Sequence, residues 1–226
     1  MTTYPKALLF DLNGTMINDM DFHSRAWYQI LNHDLGGNFS MAEVKQNMYG
    51  KNQELLVRMF GPDRFTQEEM DTLSVEKEKR YQKEYLPQLA LLPGLAEFLD
   101  GAYRAGIPMA IGSAAIRFNI DFVLDNLNIR HYFKSIVSAE DVILSKPNPE
   151  TYLKNAYELK VKPEDCLVLE DVPKGAEAAR NAGMKCVIFT TTHEEHEFTH
   201  LDNVLHFSPD FRGAYFEDLI KSKREL

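Results

Sequence analysis

A chain of 226 residues with 44% hydrophobic content is long enough for one sizeable core, or for a core with a smaller satellite. Its formal net charge of −9 argues against nucleic-acid binding through broad basic surfaces, while leaving room for a small basic pocket. No apolar run approaches membrane-spanning length, so no membrane partner is expected.

The first element is the apolar run Ala7-Leu-Leu-Phe10, which has the length and composition of a strand buried on both faces. It stops at a carboxylate, Asp11, followed by Gly14 and the hydroxyl of Thr15. A turn-forming Asp11 is one reading. The other is chemical: in a parallel sheet, ligands bind beyond the carboxyl ends of the strands, where a carboxylate can attack phosphorus or bind a hard cation.

From about residue 16 to residue 88 the pattern is helical and amphipathic. Residues 23–35 carry Ala26, Trp27, Ile30 and Leu31 at helix spacing, and Gly36-Gly37 ends the run. Ser40 with Glu43, and Thr66 with Glu69, are capping boxes. Residues 52–60 form a short helix between them, and the second box opens a long charged one. The stretch from Glu76 to Lys83 reads as a solvated face with i,i+4 pairs. No strand pattern interrupts this region, so it reads as a helical module inserted after the first strand. Its joints fall near residues 16–18 and 88–92, giving a core of residues 1–16 and 90–226 and an insert of residues 17–89.

From Leu92 onward helices and strands alternate. Helices are expected at residues 93–105, 117–127 and 150–159, and from Pro173 to a stop at Gly183. Strands are expected at residues 108–112, 135–138, 166–169 and 185–189, the last running into Thr190-Thr191-Thr192. The fold class is therefore α/β, a Rossmann-like parallel sheet with an inserted α-helical module. Polar groups end these strands: Ser113, Glu170-Asp171, and Lys146 in the loop Ser145-Lys146-Pro147-Asn148-Pro149. On one rim with Asp11 they would make a metal-assisted phosphoryl-transfer site. Mg²⁺ favours one or two carboxylates plus phosphate oxygens and water. Ser113 and backbone N–H groups at a helix start can hold phosphate oxygens, and Lys146 can neutralise developing charge.

The motifs Phe10-Asp11-Leu12-Asn13-Gly14-Thr15, Gly112-Ser113-Ala114, Ser145-Lys146-Pro147 and Leu169-Glu170-Asp171 stand in the order of the haloacid dehalogenase superfamily. The helical insert and Phe22-His23-Ser24-Arg25-Ala26-Trp27 resemble the branch containing β-phosphoglucomutase and sugar-phosphate phosphatases. The resemblance implies an HAD-like core and a cap that closes over substrate. It implies Asp11 as the nucleophile that becomes an aspartyl-phosphate and as a Mg²⁺ ligand. Asp171 would be the second carboxylate ligand, with Glu170 ligating or behind it and the backbone carbonyl of Asn13 completing the set. Ser113 with Ala114, and Lys146, would bind the transferring phosphoryl group. Gly50 and Lys51 lie where the mutase has its specificity loop, and with Lys77 they would face a small phosphorylated metabolite.

Two positions depart from the family. Residue 13 is usually an aspartate serving as general acid and base, whereas Asn13 cannot titrate near neutral pH. His23 could supply the relay, or could be a cap histidine satisfied by a neighbour. Gln53 stands where the mutase has an arginine for a second phosphate, which favours a phosphatase over a phosphotransferase. A catalytically weak phosphometabolite-binding protein is the reading from outside enzymes.

The remaining features are plainer. His193, His196 and His200 have metal-ligand spacing but sit in a very polar stretch that reads as a solvated loop. Cys166 and Cys186 lie in apolar runs and read as buried free thiols. Met1-Thr-Thr-Tyr-Pro-Lys6 shows no signal-peptide pattern, and residues 221–225 read as a frayed helix end. A cytoplasmic monomer is expected.

Overall fold

The computed structural model describes residues 5–221, so the first four residues and the tail beyond Lys221 lie outside the described residues. The chain starts with β1 (Ala7–Phe10) and then runs through the four helices of the insert, with a fifth following before the next strand. These are α1 (Met20–Gln29), continued by a π-helical turn at Ile30–Asp34, then α2 (Met41–Asn47), α3 (Asn52–Phe60) and α4 (Gln67–Tyr85). Both expected capping boxes form: Ser40 Oγ accepts from the Glu43 N–H, and Thr66 Oγ1 from the Glu69 N–H. Trp27, Ile30, Leu31, Val44, Leu55 and Leu56 give the insert a small core of its own.

The charged face expected on α4 is only half right. Arg80 pairs with Glu76 on the outside, but Lys77, Glu78 and Tyr81 are almost fully buried. A helix lying between insert and core must turn one flank inward, and this one carries charge inward because α1 offers polar partners there. The two joints of the insert are tied together. Ile17 bridges Leu91 in antiparallel fashion, and the Leu92 N–H donates to the Met16 carbonyl at 2.8 Å.

The rest alternates: α5 (Leu95–Arg104), β2 (Met109–Gly112), α6 (Arg117–Asn126), β3 (Phe133–Val137), α7 (Glu150–Leu159), β4 (Cys166–Glu170), α8 (Pro173–Asn181), β5 (Lys185–Phe189), β6 (Val204–Ser208) and α9 (Ala214–Lys221). The sixth strand is not expected from the sequence, and the ninth helix is expected only through its frayed end at residues 221–225. All strands run parallel in the order β3-β2-β1-β4-β5-β6. Alternation splits the strand side chains between two layers. Leu8, Phe10, Ile111, Leu169 and Phe189 face one, with α5, α6 and α9, while Leu9, Ala110, Val168 and Ile188 face the other, with α7 and α8. Strands covered on both sides need apolar residues at every position, which is why the motif strand carries no polar alternation.

After β1 the chain adds β2 and β3 on one side, then returns to place β4 on the other. The crevice at such a reversal, beyond the strand ends, is where an open parallel sheet binds ligands. Asp11 follows β1 there, and β4 delivers Glu170-Asp171 beside it.

Candidate active site

Lys146 organises the crevice. Its Nζ donates to Asp11 Oδ1 at 2.6 Å and Glu170 Oε1 at 2.7 Å, and lies 3.1 Å from the Gly112 carbonyl and 2.9 Å from the Tyr152 hydroxyl. Tyr152 Oη in turn donates to Glu170 Oε1 at 2.7 Å. The other Glu170 oxygen accepts from the backbone N–H groups of Asp171 and Val172. Glu170 is fully buried with both oxygens engaged, so it acts as the anchor that points the ammonium at Asp11. The two carboxylates hold the lysine above its ordinary range against the pull of burial. Burial lifts the Asp11 carboxyl to about 7, with Lys146 opposing and the Glu170 charge adding to the rise.

Asp171 is clamped from two sides. Thr15 Oγ1 donates to its Oδ1 at 3.0 Å and Thr192 Oγ1 to its Oδ2 at 2.5 Å. Burial and the charges of Glu170 and Asp11 push its carboxyl well above the usual range. Gly14, at φ +82°, passes close by, and a Cβ there would stand 2.1 Å from Asp171 Oδ2. Thr191 fixes the same turn by donating to the Gly14 carbonyl at 2.5 Å.

Asp11, Glu170 and Asp171 each bring a carboxylate oxygen to within 4.8 Å of the others, the metal-capable cluster among the described residues. Three acidic groups meet in a buried crevice where one lysine pairs with two of them, and burial, with their mutual repulsion, raises Asp11 and Asp171. This donor set fits a hard divalent cation taking oxygen ligands. Glu170, already saturated by four donors, is the least available of the three.

Ser113 lies buried beyond β2, its Oγ accepting from the Ala115 N–H at 3.1 Å, which leaves the hydroxyl proton to donate. Ala114 is in the same turn, half-buried. From the insert, Lys51 reaches across to the Val142 carbonyl at 2.5 Å, and Glu54 accepts from Ser145 Oγ at 2.7 Å. Gly50 takes φ +73° just before, where a Cβ would press on Glu54 Oε2. Lys51 and Glu54 thus bridge the insert to the loop that carries Lys146. Gln53 faces elsewhere, bonded to Asp71 on the exterior at 2.9 Å.

Asn13, His23 and Lys77 meet in a second, adjoining network. Lys77 Nζ is 2.6 Å from His23 Nδ1 and 2.8 Å from Glu78 Oε1. His23 Nε2 is 3.1 Å from Asp19 Oδ2, and Asn13 Nδ2 is 2.6 Å from the same oxygen. Tyr81 Oη donates to it as well, at 2.6 Å, and burial, with the Asp19 charge, raises the phenol far above its ordinary value.

The sequence reading missed Tyr152, Thr192, Asp19 and Tyr81. Thr192 was visible as a hydroxyl at a strand end, but the other three carried no signal. The histidine cluster does not gather. His196 pairs with Glu194 on the exterior, in a 3₁₀ turn at Glu195–Phe198. Cys166 and Cys186 are buried free thiols, and burial pushes the Cys166 thiol up to about 12. Among the described residues no helix is long and apolar enough to cross a membrane.

Comparison with known proteins agrees with this geometry. Residues 8–189 match the family model described as haloacid dehalogenase-like hydrolase. The fructose-1-phosphate phosphatase YqaB of Escherichia coli (strain K12) is 31% identical over 183 residues, covering 80% of this chain and 94% of that protein. The β-phosphoglucomutase of Bacillus subtilis (strain 168) is 30% identical over 187 residues, covering 80% and 82%. A crystal structure of a CbbY mutant from Rhodobacter sphaeroides, in complex with xylulose-(1,5)bisphosphate, superposes with TM-score 0.76 at 28% identity, covering 89% and 93%. With the four motifs gathered at the switch point of a parallel sheet, the chain belongs to the haloacid dehalogenase-like hydrolases, as an enzyme of the phosphatase and phosphoglucomutase type.

Proposed function

We propose that this chain is a Mg²⁺-dependent phosphatase of a small phosphorylated metabolite, a sugar phosphate, working through an aspartyl-phosphate on Asp11. The observation that carries the reading is the Lys146 ammonium, 2.6 Å from Asp11 and held by Glu170 and Tyr152. An Asp11 oxygen attacks phosphorus, the P–O ester bond breaks, and water then cleaves the acyl phosphate. Lys146 offsets charge on the nucleophile and on the equatorial oxygens, and Ser113 donates to one of those oxygens. Asp11, Asp171 and the Asn13 carbonyl would hold Mg²⁺, which when bound supplies charge neutralisation at the phosphoryl group. In this reading residues 17–89 are a cap that closes on its two joints, with Lys51 and Glu54 meeting the core in the closed position. The two buried thiols fit a reducing, cytoplasmic compartment.

The relatives' names suggest the panel: fructose 1-phosphate, a β-phosphoglucose, and the xylulose 1,5-bisphosphate bound to the CbbY mutant. Gln53 lies on the exterior, and Lys51 and Lys77 are engaged by protein groups, so none of these three supplies a fork for a second phosphate. Monophosphates should therefore be preferred over the bisphosphate, with release of free phosphate. Transfer of phosphate within the sugar would convert the reading to a phosphotransferase. Tight binding with no turnover over hours would convert it to a binding protein.

Cation binding should depend on pH through Asp11. With its carboxyl raised to about 7 in the cation-free protein, the proton must leave before a cation can enter. At pH 5.5 the Asp11 proton alone weakens Mg²⁺ binding about 30-fold relative to pH 8, taking each pKa unit as tenfold, and the raised Asp171 carboxyl adds in the same direction. The cation-free protein should also lose stability as pH rises through 7, because a raised carboxyl stabilises only while protonated. Thermal melts with and without Mg²⁺ should show the larger upward shift at pH 8. Equal shifts at both values would remove Asp11 from the cation site.

A further inference from the structure

The carboxylate that residue 13 lacks stands six residues further along the chain. Asp19 is wholly buried at the start of α1, and its Oδ2 receives Asn13 Nδ2 at 2.6 Å and Tyr81 Oη at 2.6 Å. His23 Nε2 is 3.1 Å from the same oxygen. The direction of each bond follows from Lys77. An ammonium can only donate, so at 2.6 Å it makes His23 Nδ1 the acceptor and leaves the ring proton on Nε2, facing Asp19. Asn13 Nδ2 and His23 Nε2, 3.0 Å apart, are then two donors sharing one acceptor.

Rotating the Asn13 amide by half a turn would set Oδ1 against the Asp19 oxygen with no proton between them. The charge-assisted bond would be lost and two lone pairs would face each other, and the neutral bond that Oδ1 could then accept from His23 Nε2 is weaker than the one given up. Asp19 cannot step aside, because Tyr81 pins it and its side chain is fully buried. A carboxylate at 19 therefore fixes the amide with Nδ2 toward α1 and Oδ1 turned away.

Which end of the amide faces the reaction matters in the second half of the proposed cycle. The water that cleaves an aspartyl-phosphate must aim a lone pair at phosphorus, so its protons need an acceptor. An amide oxygen serves, whereas an NH₂ group does not. We propose that Asp19 is a positioning residue that locks the Asn13 amide so that Oδ1 orients the hydrolytic water. In that step the water oxygen bonds to phosphorus and the P–O bond to Asp11 breaks. The electron pair returns to the Asp11 carboxylate, and both water protons leave with the phosphate as H₂PO₄⁻. Asn13 accepts a hydrogen bond and takes no proton.

This inference rests on the aspartyl-phosphate reading, and rapid-mixing kinetics with para-nitrophenyl phosphate and Mg²⁺ separate the two. The nitrophenolate leaving group needs no proton, so the burst reports phosphorylation and the steady state reports dephosphorylation. Asp19→Ala should keep the burst within about twofold and slow the steady state about 10- to 100-fold, the usual cost of misplacing a reacting group. The exchange Asn13→Asp with Asp19→Asn restores one donor and one acceptor across the same contact. It should match or exceed the native steady state, while Asn13→Asp alone, with two acceptors face to face, stays below the exchange. Burst and steady state falling together in Asp19→Ala, or an exchanged pair no better than the product of its single variants, would overturn the positioning role alone. A native chain that forms no hydroxylamine-sensitive phosphoenzyme would overturn the role and the reading beneath it.

Discussion

Asp11→Asn is expected to remove phosphoryl transfer, lowering turnover of para-nitrophenyl phosphate at least ~10⁴-fold, in the manner of nucleophile deletions elsewhere. A carboxamide cannot form the acyl phosphate and offers a cation a neutral ligand in place of an anionic one. The protein should nevertheless fold well. Ionising the native carboxyl against a pKa of about 7 costs roughly 4 kcal/mol relative to an ordinary aspartate at pH 8. A neutral side chain of the same shape escapes that cost, and Lys146 keeps Glu170 as its anion. The variant should therefore melt no lower than the native chain at pH 8 without Mg²⁺. Turnover that survives the substitution would remove Asp11 as nucleophile. A collapse of the melting temperature would make Asp11 a structural residue.

Lys146→Met is expected to fail in both respects. The ammonium has three engagements with acidic or phenolic groups in a largely buried crevice: Asp11, Glu170 and Tyr152. Removing it leaves two carboxylates facing each other with no cation, and breaking a buried pair from one side costs about 3–5 kcal/mol. For a chain of this size that lowers the melting temperature by roughly 10 °C. Phosphoryl transfer should fall with it, because the charge beside the nucleophile is gone. Lowering the pH should restore part of the stability, since protonation relieves the unpaired carboxyls, but none of the activity. A variant that melts like the native chain would show that Asp11 and Glu170 do not depend on the lysine.

Much of this was legible in the sequence because it depends on short stretches. β1 is an uninterrupted apolar run ending in a carboxylate, and both capping boxes announce their helices within four residues. Asp11, Ser113, Lys146 and Asp171 each follow a strand, so naming the strands placed them on one rim. What stayed hidden depends on neighbours remote in sequence. Tyr152 has the spacing of a core aromatic in α7, and only the packing of that helix brings its hydroxyl to Lys146 and Glu170. Asp19 carries no mark of its partners until α1 and α4 close around it. Lys77 and Glu78 look like solvent-facing charges, because sequence periodicity cannot tell which flank of a polar helix another layer will cover. β6 lies at the sheet edge, where Leu205 is more than half exposed and His206 partly so, and it shows no apolar run to mark it.

The bridge between Ile17 and Leu91 sets the mechanics of the insert. Both polypeptide crossings pass through one point, so any swing of residues 17–89 is rotation about a fulcrum rather than sliding. Displacement then grows with the length of the arm. Helix α4 spans 19 residues, an arm of roughly 28 Å at 1.5 Å per residue. Asp19 is two residues from the fulcrum, and Tyr81 lies near the end of α4 that returns to it. Lys51 and Glu54 are remote from it in the chain and bond to Val142 and Ser145, in the core segment that carries Lys146. A small angular opening would part the Lys51 and Glu54 contacts first while hardly stretching the hydrogen bond from Asn13 to Asp19. Substrate traffic and water orientation would then be geared separately, the first by the tip of the lever and the second by its root.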